Sequence, residues 1–303
     1  ALARLFAGLT GNANAGNAHT HPPRPRAVSL TLRALYPRWR PTPDMLTFVG
    51  LGLYDERSVT VAGRDAIRDA DRVFAEFYTS RLVGTDLESL EDALETTIEL
   101  RDRAGIEQDP EPILAAAESE NVVFCTAGDT MVSTTHTDLR LRAADRGIET
   151  RIIHGTTAQT AAGSLTGLQN YRFGKATTLP FEDAHGGDGV PDSVVATIED
   201  NRDRDLHTLV YLDIKVDDPH WDESDDTYMT ASQAAAMLSE PLPDTLGVVV
   251  ARAGSPDPLI AADTLDDLAT QTFGEPLHLL VIPGSLHPLE ADALEAIAGA
   301  ALE

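Results

Sequence analysis

The stretch MLTFVGLGLYDERSVT, residues 45–60, decides the fold. Leu46-Thr47-Phe48-Val49 is an apolar run of strand length, and it ends in Gly50-Leu51-Gly52-Leu53. The following segment, 58–71, puts Val61, Ile67 and Ala70 on one side of a helix, with Ser58 as the candidate N-cap. A strand, a glycine turn and a helix make the opening unit of an α/β protein.

The alternation continues along the chain. RVFAEFY (72–78), NVVFCTAGD (121–129) and TRIIHG (150–155) read as strands, with helices over 86–100 and 136–147, the latter stopped by Gly147. A second set follows. KATTLPF (175–181), HTLVYLDIK (207–215), DTLGVVVARAG (244–254) and LHLLVIPG (277–284) read as strands. Helices are expected over 158–168, 192–204, 230–240 with Thr230 as N-cap, and 262–274. Small residues from Gly155 to Ala162 mark the expected boundary between an N-terminal α/β domain, 45–156, and a C-terminal one, 157–303.

Residues 1–44 differ from all that follows. They carry six Arg and one acid, and their middle is rich in Gly, Asn, Pro and His. The expectation is a non-native or disordered extension ahead of a domain that begins at Met45. Residues 45–303 hold 17 basic and 48 acidic residues, a net charge of −31. That excess argues against nucleic acid and anionic membranes as partners. The basic residues of the chain are 21 Arg and only two Lys, Lys175 and Lys215. Dispersed acids with almost no lysine fit a cytoplasmic protein bathed in molar salt, where self-repulsion is screened. Two acidic Gly/Pro-rich inserts, 182–191 and 216–226, read as surface loops.

Candidate chemistry is sparse. Gly50-Leu51-Gly52 lacks the third glycine of a dinucleotide fingerprint. It is either a tight turn or a bare backbone edge against which a flat ligand lies. Gly128-Asp129 closes a buried strand, where open α/β sheets bind ligands; Asp129 either serves a ligand or caps the next helix. Cys125 is alone, the nine histidines show no metal-ligand spacing, and no nucleophile elbow or phosphate loop is present. The reaction expected is therefore one that needs mainly positioning.

FVGLGLYDERSVTVAG, VFAEFYTS, GDTMVSTTH, YRFGK, LHTLVYLDIK, YMTASQA, VVVARAGS and HLLVIPGSLHPLEADAL, in that order, resemble the diphthine synthases. These are S-adenosylmethionine-dependent methyltransferases of the tetrapyrrole methylase superfamily. The resemblance spans Met45 to the C-terminus. It implies two α/β domains with a cofactor cleft between them, a homodimer, and translation elongation factor 2 as substrate. In that factor a histidine carrying a 3-amino-3-carboxypropyl group would be trimethylated on its amino nitrogen. The cofactor contacts it implies fall on Leu53, Asp129, Val132, Thr157, Ala158, Leu212, Ala253 and His278; no general base is implied, and either lysine is a candidate partner for the substrate carboxylate. Thr130 and Thr156-Thr157 stand where the family commonly has Pro and Pro-Ser. Competing readings are a methyltransferase acting on a tetrapyrrole ring and a catalytically silent cofactor-binding regulator.

Overall fold

The structure, a computed structural model, describes residues 44–184, 189–216 and 226–302. The expected N-terminal extension and the centres of both acidic inserts lie outside the described residues.

The first half builds a five-stranded, wholly parallel sheet. Its strands are β1 (Met45–Gly50), β2 (Arg72–Glu76), β3 (Ile98–Leu100), β4 (Asn121–Thr126) and β5 (Glu149–Ile153), in the order β3-β2-β4-β1-β5. Parallel pairing requires crossovers, and helices supply them. One face, with Val49, Val73 and Val123, packs on Ile67 of α1 (Val61–Arg68) and on Leu90 and Leu94 of α2 (Leu87–Leu94). The other, with Phe48, Phe74 and Phe124, packs on α3 (Arg103–Glu107), α4 (Glu111–Ala117) and α5 (Thr137–Asp145). Both β1 and β4 are buried on both faces, which is why they read as continuous apolar runs.

The second half builds a mixed sheet. Its elements are β6 (Thr177–Leu179), β7 (Thr208–Leu212), the small antiparallel pair β8 (Ile214–Lys215) and β9 (Thr227–Tyr228), then β10 (Leu246–Ala251), β11 (Leu259–Thr264) and β12 (His278–Ile282). The sheet order is β11-β10-β12-β7-β6, with only β6 and β7 parallel. Helices α6 (Ala158–Thr166) and α10 (Pro288–Ala298) cover one face. The other is covered by α7 (Asp192–Arg202), α8 (Ala231–Ser239) and α9 (Leu265–Leu268). The architecture is α/β throughout, with helices on both faces of each sheet.

Four local expectations change. The N-cap of α1 is Thr60, whose Oγ1 accepts from the Gly63 N–H at 3.0 Å; Ser58 instead ends a 3-10 turn capped by Asp55. Helix 86–100 stops at Leu94, because Glu95 turns left-handed at φ 55° and the β-branched Thr96-Thr97-Ile98 leads into the edge strand β3. The helix expected over 262–274 shrinks to Leu265–Leu268 as α9, since residues 262–264 belong to β11, whose pairing with β10 overrides their helical look. The strand over 207–215 breaks at Asp213, whose carboxylate accepts from the Ile214 and Phe181 N–H groups at 3.0 and 3.1 Å. Thr230 caps α8 as expected.

Candidate active site

A cavity of about 570 Å³ opens where the carboxyl ends of the parallel strands meet the second sheet. It takes its walls from the loops after β1 through β5, from the ends of β7 and β10, and from the start of β12. β12 runs antiparallel to both β7 and β10, so its first residue comes to the same edge as their last. A ligand site at this edge is the general expectation for open α/β sheets.

Close backbone contact shapes the floor. A Cβ on Gly50 would stand 2.5 Å from both the Gly128 carbonyl oxygen and the Gly155 nitrogen, and one on Gly155 would stand 2.1 Å from that oxygen. The ends of β1, β4 and β5 therefore touch backbone to backbone, which only glycine allows. Gly52 and Gly128 exchange N–H···O bonds of 3.1 and 2.7 Å. The Gly-Leu-Gly turn is thus a packing device, and Leu53 beyond it faces the cavity. Gly128 also lines the cavity, and nothing lies within 4 Å of where its Cβ would be, so its backbone faces open space.

All eight residues expected to contact the cofactor line this one cavity. Their polar side chains are already committed within the protein. Asp129 is buried; its Oδ1 accepts from the Met131 N–H at 2.9 Å, and its Oδ2 meets His154 Nδ1 at 2.8 Å and the Gly155 N–H at 3.2 Å. It caps no helix, since α5 begins at Thr137 without a side-chain cap. His278 Nδ1 accepts from the Ala231 N–H at 3.1 Å and Nε2 donates to the Glu275 carbonyl at 3.0 Å. Burial lowers its pKa and keeps it neutral in that tautomer. Thr157 and Thr160 cap α6 reciprocally. What Leu53, Val132, Leu212 and Ala253 add is apolar surface, so the wall offers backbone groups and apolar area held rigidly in place.

The profile of the family described as Tetrapyrrole (Corrin/Porphyrin) Methylases matches residues 45–269. A curated diphthine synthase of Haloarcula marismortui is 93% identical over 259 residues, 86% of this chain and 100% of that protein. One of Halorubrum lacusprofundi is 67% identical over 265 residues, 86% of this chain and 98% of its own. A crystal structure of a diphthine synthase superposes with a TM-score of 0.75 at 36% identity, covering 84% of this chain and 96% of its own. The chain belongs to the diphthine synthase family.

Other cavity residues of this diphthine synthase-family chain were not singled out by the sequence. Tyr78, Thr79 and Ser80 sit in the quoted VFAEFYTS stretch and Arg252 in VVVARAGS, whereas Arg103 and Glu107 carry no local signal. The two halves meet across the cavity, where Ser133 Oγ and Tyr211 OH lie 3.1 Å apart and the buried Arg81 pairs with the buried Asp226 at 2.9 Å. Neither lysine lines it. Lys215 Nζ binds both oxygens of Asp183 at 2.7 Å, and Lys175 is exposed.

Behind the cavity wall, at the end of β2, lies a buried glutamate–histidine pair. Glu76 accepts from the Tyr78 and Thr79 N–H groups, both at 3.0 Å, and its Oε1 lies 3.5 Å from His136 Nε2. Burial pushes Glu76 up to about 7 and His136 down to about 4. From pH 4.5 to 6.5 the folded pair keeps its proton on Glu76 and the unfolded chain keeps one on His136. Proton counts match, so the pair leaves stability flat there. In Glu76→Gln only the histidine remains, and its depressed pKa destabilises the fold as pH falls through 6.5 towards 4. The variant is expected to lose roughly 2–3 kcal/mol relative to wild type between pH 6.5 and 4.5, at about 1.4 kcal/mol per pH unit. Denaturant titrations at several pH values measure it; a wild-type-to-variant difference independent of pH removes the coupling.

Proposed function

We propose that the chain methylates the amino nitrogen of the 3-amino-3-carboxypropyl histidine of translation elongation factor 2, up to three times, yielding diphthine. S-adenosylmethionine is the proposed donor. The observation that carries this reading is the 93% identity to a curated diphthine synthase along that protein's whole length. A cytoplasmic homodimer working in high salt is part of the same proposal, as is a domain boundary at 156/157, between β5 and α6.

The residues present suit the donor. Leu53, Val132, Leu212 and Ala253 offer apolar surface for a flat adenosine, and the bare Gly128 backbone leaves room for close approach. Asp129, Thr157 and His278 hold the loops that present these surfaces, so their part is to fix backbone donors and acceptors in place. When bound, S-adenosylmethionine would supply its sulfonium methyl to the neutral amine in line, with the thioether S-adenosylhomocysteine as leaving group and one proton given up by the amine to solvent before each transfer. The protein need only hold the amine in reach and exclude water, and the enclosing contacts Ser133–Tyr211 and Arg81–Asp226 suit that task. An amine remains nucleophilic after one and two methylations and has no lone pair after three, so the chemistry itself sets the stop.

Intact-mass and fragment spectra test the proposal. Elongation factor 2 bearing the aminocarboxypropyl group, incubated with enzyme and S-adenosylmethionine, is expected to gain up to three methyls on one nitrogen. Factor without that group is expected to gain none. Methylation of the bare factor, or a fourth methyl on the carboxylate, sinks the assignment; binding of cofactor with no transfer at all returns the silent-regulator reading.

A further inference from the structure

The eight proposed cofactor residues come from β1, β4, β5 and the second sheet, and leave the part of the cavity beside β2 and β3 unassigned. That part holds Tyr78, Arg103, Glu107 and Thr135. β3 is the sheet edge, two strands from β4, so its loop stands about 10 Å from the β4 loop. An arginine side chain spans most of that distance.

Among the described residues three arginines line the cavity, and two are occupied. Arg81 is buried in its pair with Asp226, and Arg252 donates to the carbonyls of Phe273, Glu275 and Asp257. Arg103 differs. Its side chain is 62% exposed, and its bond within the described residues is one Nη1 contact to Glu107 Oε1 at 3.1 Å. The guanidinium lies over the Tyr78 ring, 4.6 Å from its centroid, which fixes its plane and leaves Nε and Nη2 to donate. Glu107 Oε1 also accepts from Thr135 Oγ1 at 3.1 Å, which ties α3 to the loop before α5. Its Oε2 accepts no bond among the described residues. The Tyr78 hydroxyl, beside them, is buried without a hydrogen-bond partner among the described residues.

A cation and an anion side by side are the complement of an amino group and a carboxylate on one carbon, which is how the substrate side chain ends. We infer that Arg103 and Glu107 form the specificity site for that end, with the Arg103 guanidinium receiving the carboxylate and Glu107 Oε2 receiving the amino group. The inference rests on the methyl-transfer reading above. It assigns the carboxylate to an arginine of the first half, in place of Lys175 or Lys215. It also sets apart a histidine without the side chain, which has neither group to offer.

Arg103→Ala, Arg103→Lys and Glu107→Gln test it in the full chain, with aminocarboxypropyl-modified elongation factor 2 as acceptor. Arg103→Ala is expected to lower kcat/KM by about 10- to 150-fold, the range for one lost charge-assisted hydrogen bond, chiefly through KM. Arg103→Lys recovers part of this, because it restores the charge without the planar fork. Glu107→Gln is expected to lower kcat/KM as well. Calorimetric affinity for S-adenosylmethionine and the melting temperature stay at wild-type values in all three. A kcat/KM within twofold of wild type in Arg103→Ala makes the pair an exposed ion pair and overturns the inference. So does a loss explained by weaker cofactor binding. If wild type itself transfers no methyl to the modified factor, the function fails and the site with it; if wild type transfers and Arg103→Ala does too, the site alone fails.

Discussion

Glu290→Ala is expected to destabilise the protein by about 3–5 kcal/mol, the cost of stripping one partner from a buried ion pair. That corresponds to a fall in melting temperature of roughly 6–20 °C for a folded chain of this size. Glu290 sits in the first turn of α10 with no exposed surface, yet it is charged. Its Oε1 accepts from the Gln169 N–H at 2.9 Å and from His207 Nε2 at 3.0 Å. Its Oε2 accepts from the His287 N–H at 2.8 Å and pairs with Arg172 Nη1. The same arginine reaches the carbonyls of Asp205 and Ser285 at 3.0 and 2.7 Å, and His207 Nδ1 accepts from the Gly284 N–H at 3.1 Å. One carboxylate thus joins the segment after α6, the start of β7, the loop after β12 and the N-terminus of α10. Burial alone would raise its pKa, but the His287 and Gln169 N–H groups and His207 outweigh it and hold Glu290 at about 2. A depressed pKa means that this stability is present above about 4.5 and drains as pH falls towards 2. Glu290→Ala is therefore expected to lose most at neutral pH and progressively less below pH 4. Melting curves at pH 7 and pH 3 measure both; equal losses at the two values remove the charge from the explanation.

None of this network was legible in the sequence, and the reason is physical. Arg172, His207 and Glu290 are far apart in the chain and become neighbours only when α6, β7 and α10 pack. What was legible was local. The apolar runs of β1 and β4 declared themselves because both faces are buried. Thr230 declared α8 because an N-cap acts within three residues. The expectations failed at β11, where tertiary pairing overrides local propensity, at β3, where a left-handed Glu95 and a β-branched run end the helix early, and where two hydroxyl residues two positions apart competed for a cap, at Ser58 and Thr60. The same division holds at the site. Leu53, Asp129 and Val132 belong to compact motifs beside glycine turns. Arg103 and Glu107 sit in a charged five-residue helix that resembles any solvated surface, and only the cavity shows which way the pair faces.

Stability is expected to rise steeply with salt, by on the order of 10 °C in melting temperature between 0.1 M and 3 M KCl. Residues 45–303 carry 48 acids against 17 basic residues, and ten of those acids pair with Arg or Lys among the described residues. The exposed surface is therefore crowded with like charge. Glu88 and Asp92 stand four residues apart on α2, and Glu199 and Asp203 do so at the end of α7, all exposed. Each such pair costs roughly 0.2–0.5 kcal/mol when unscreened. Summed over the surface, the repulsion reaches several kcal/mol, or roughly 2–4 °C for each. At 0.1 M salt the screening length of about 10 Å leaves neighbouring acids interacting; at 1 M it is about 3 Å and they no longer do. Most of the gain should thus come below about 1 M, and a continued rise to 3 M would come from strengthened apolar burial, since excluded salts favour the compact state. Sodium chloride and potassium chloride at equal concentration should act alike over the first molar, because screening depends on ionic strength and not on the identity of the cation. Equal melting temperatures at 0.1 M and 3 M KCl would show that the acidic surface is not under electrostatic strain. A large difference between the two cations below 1 M would replace general screening with site-bound ions.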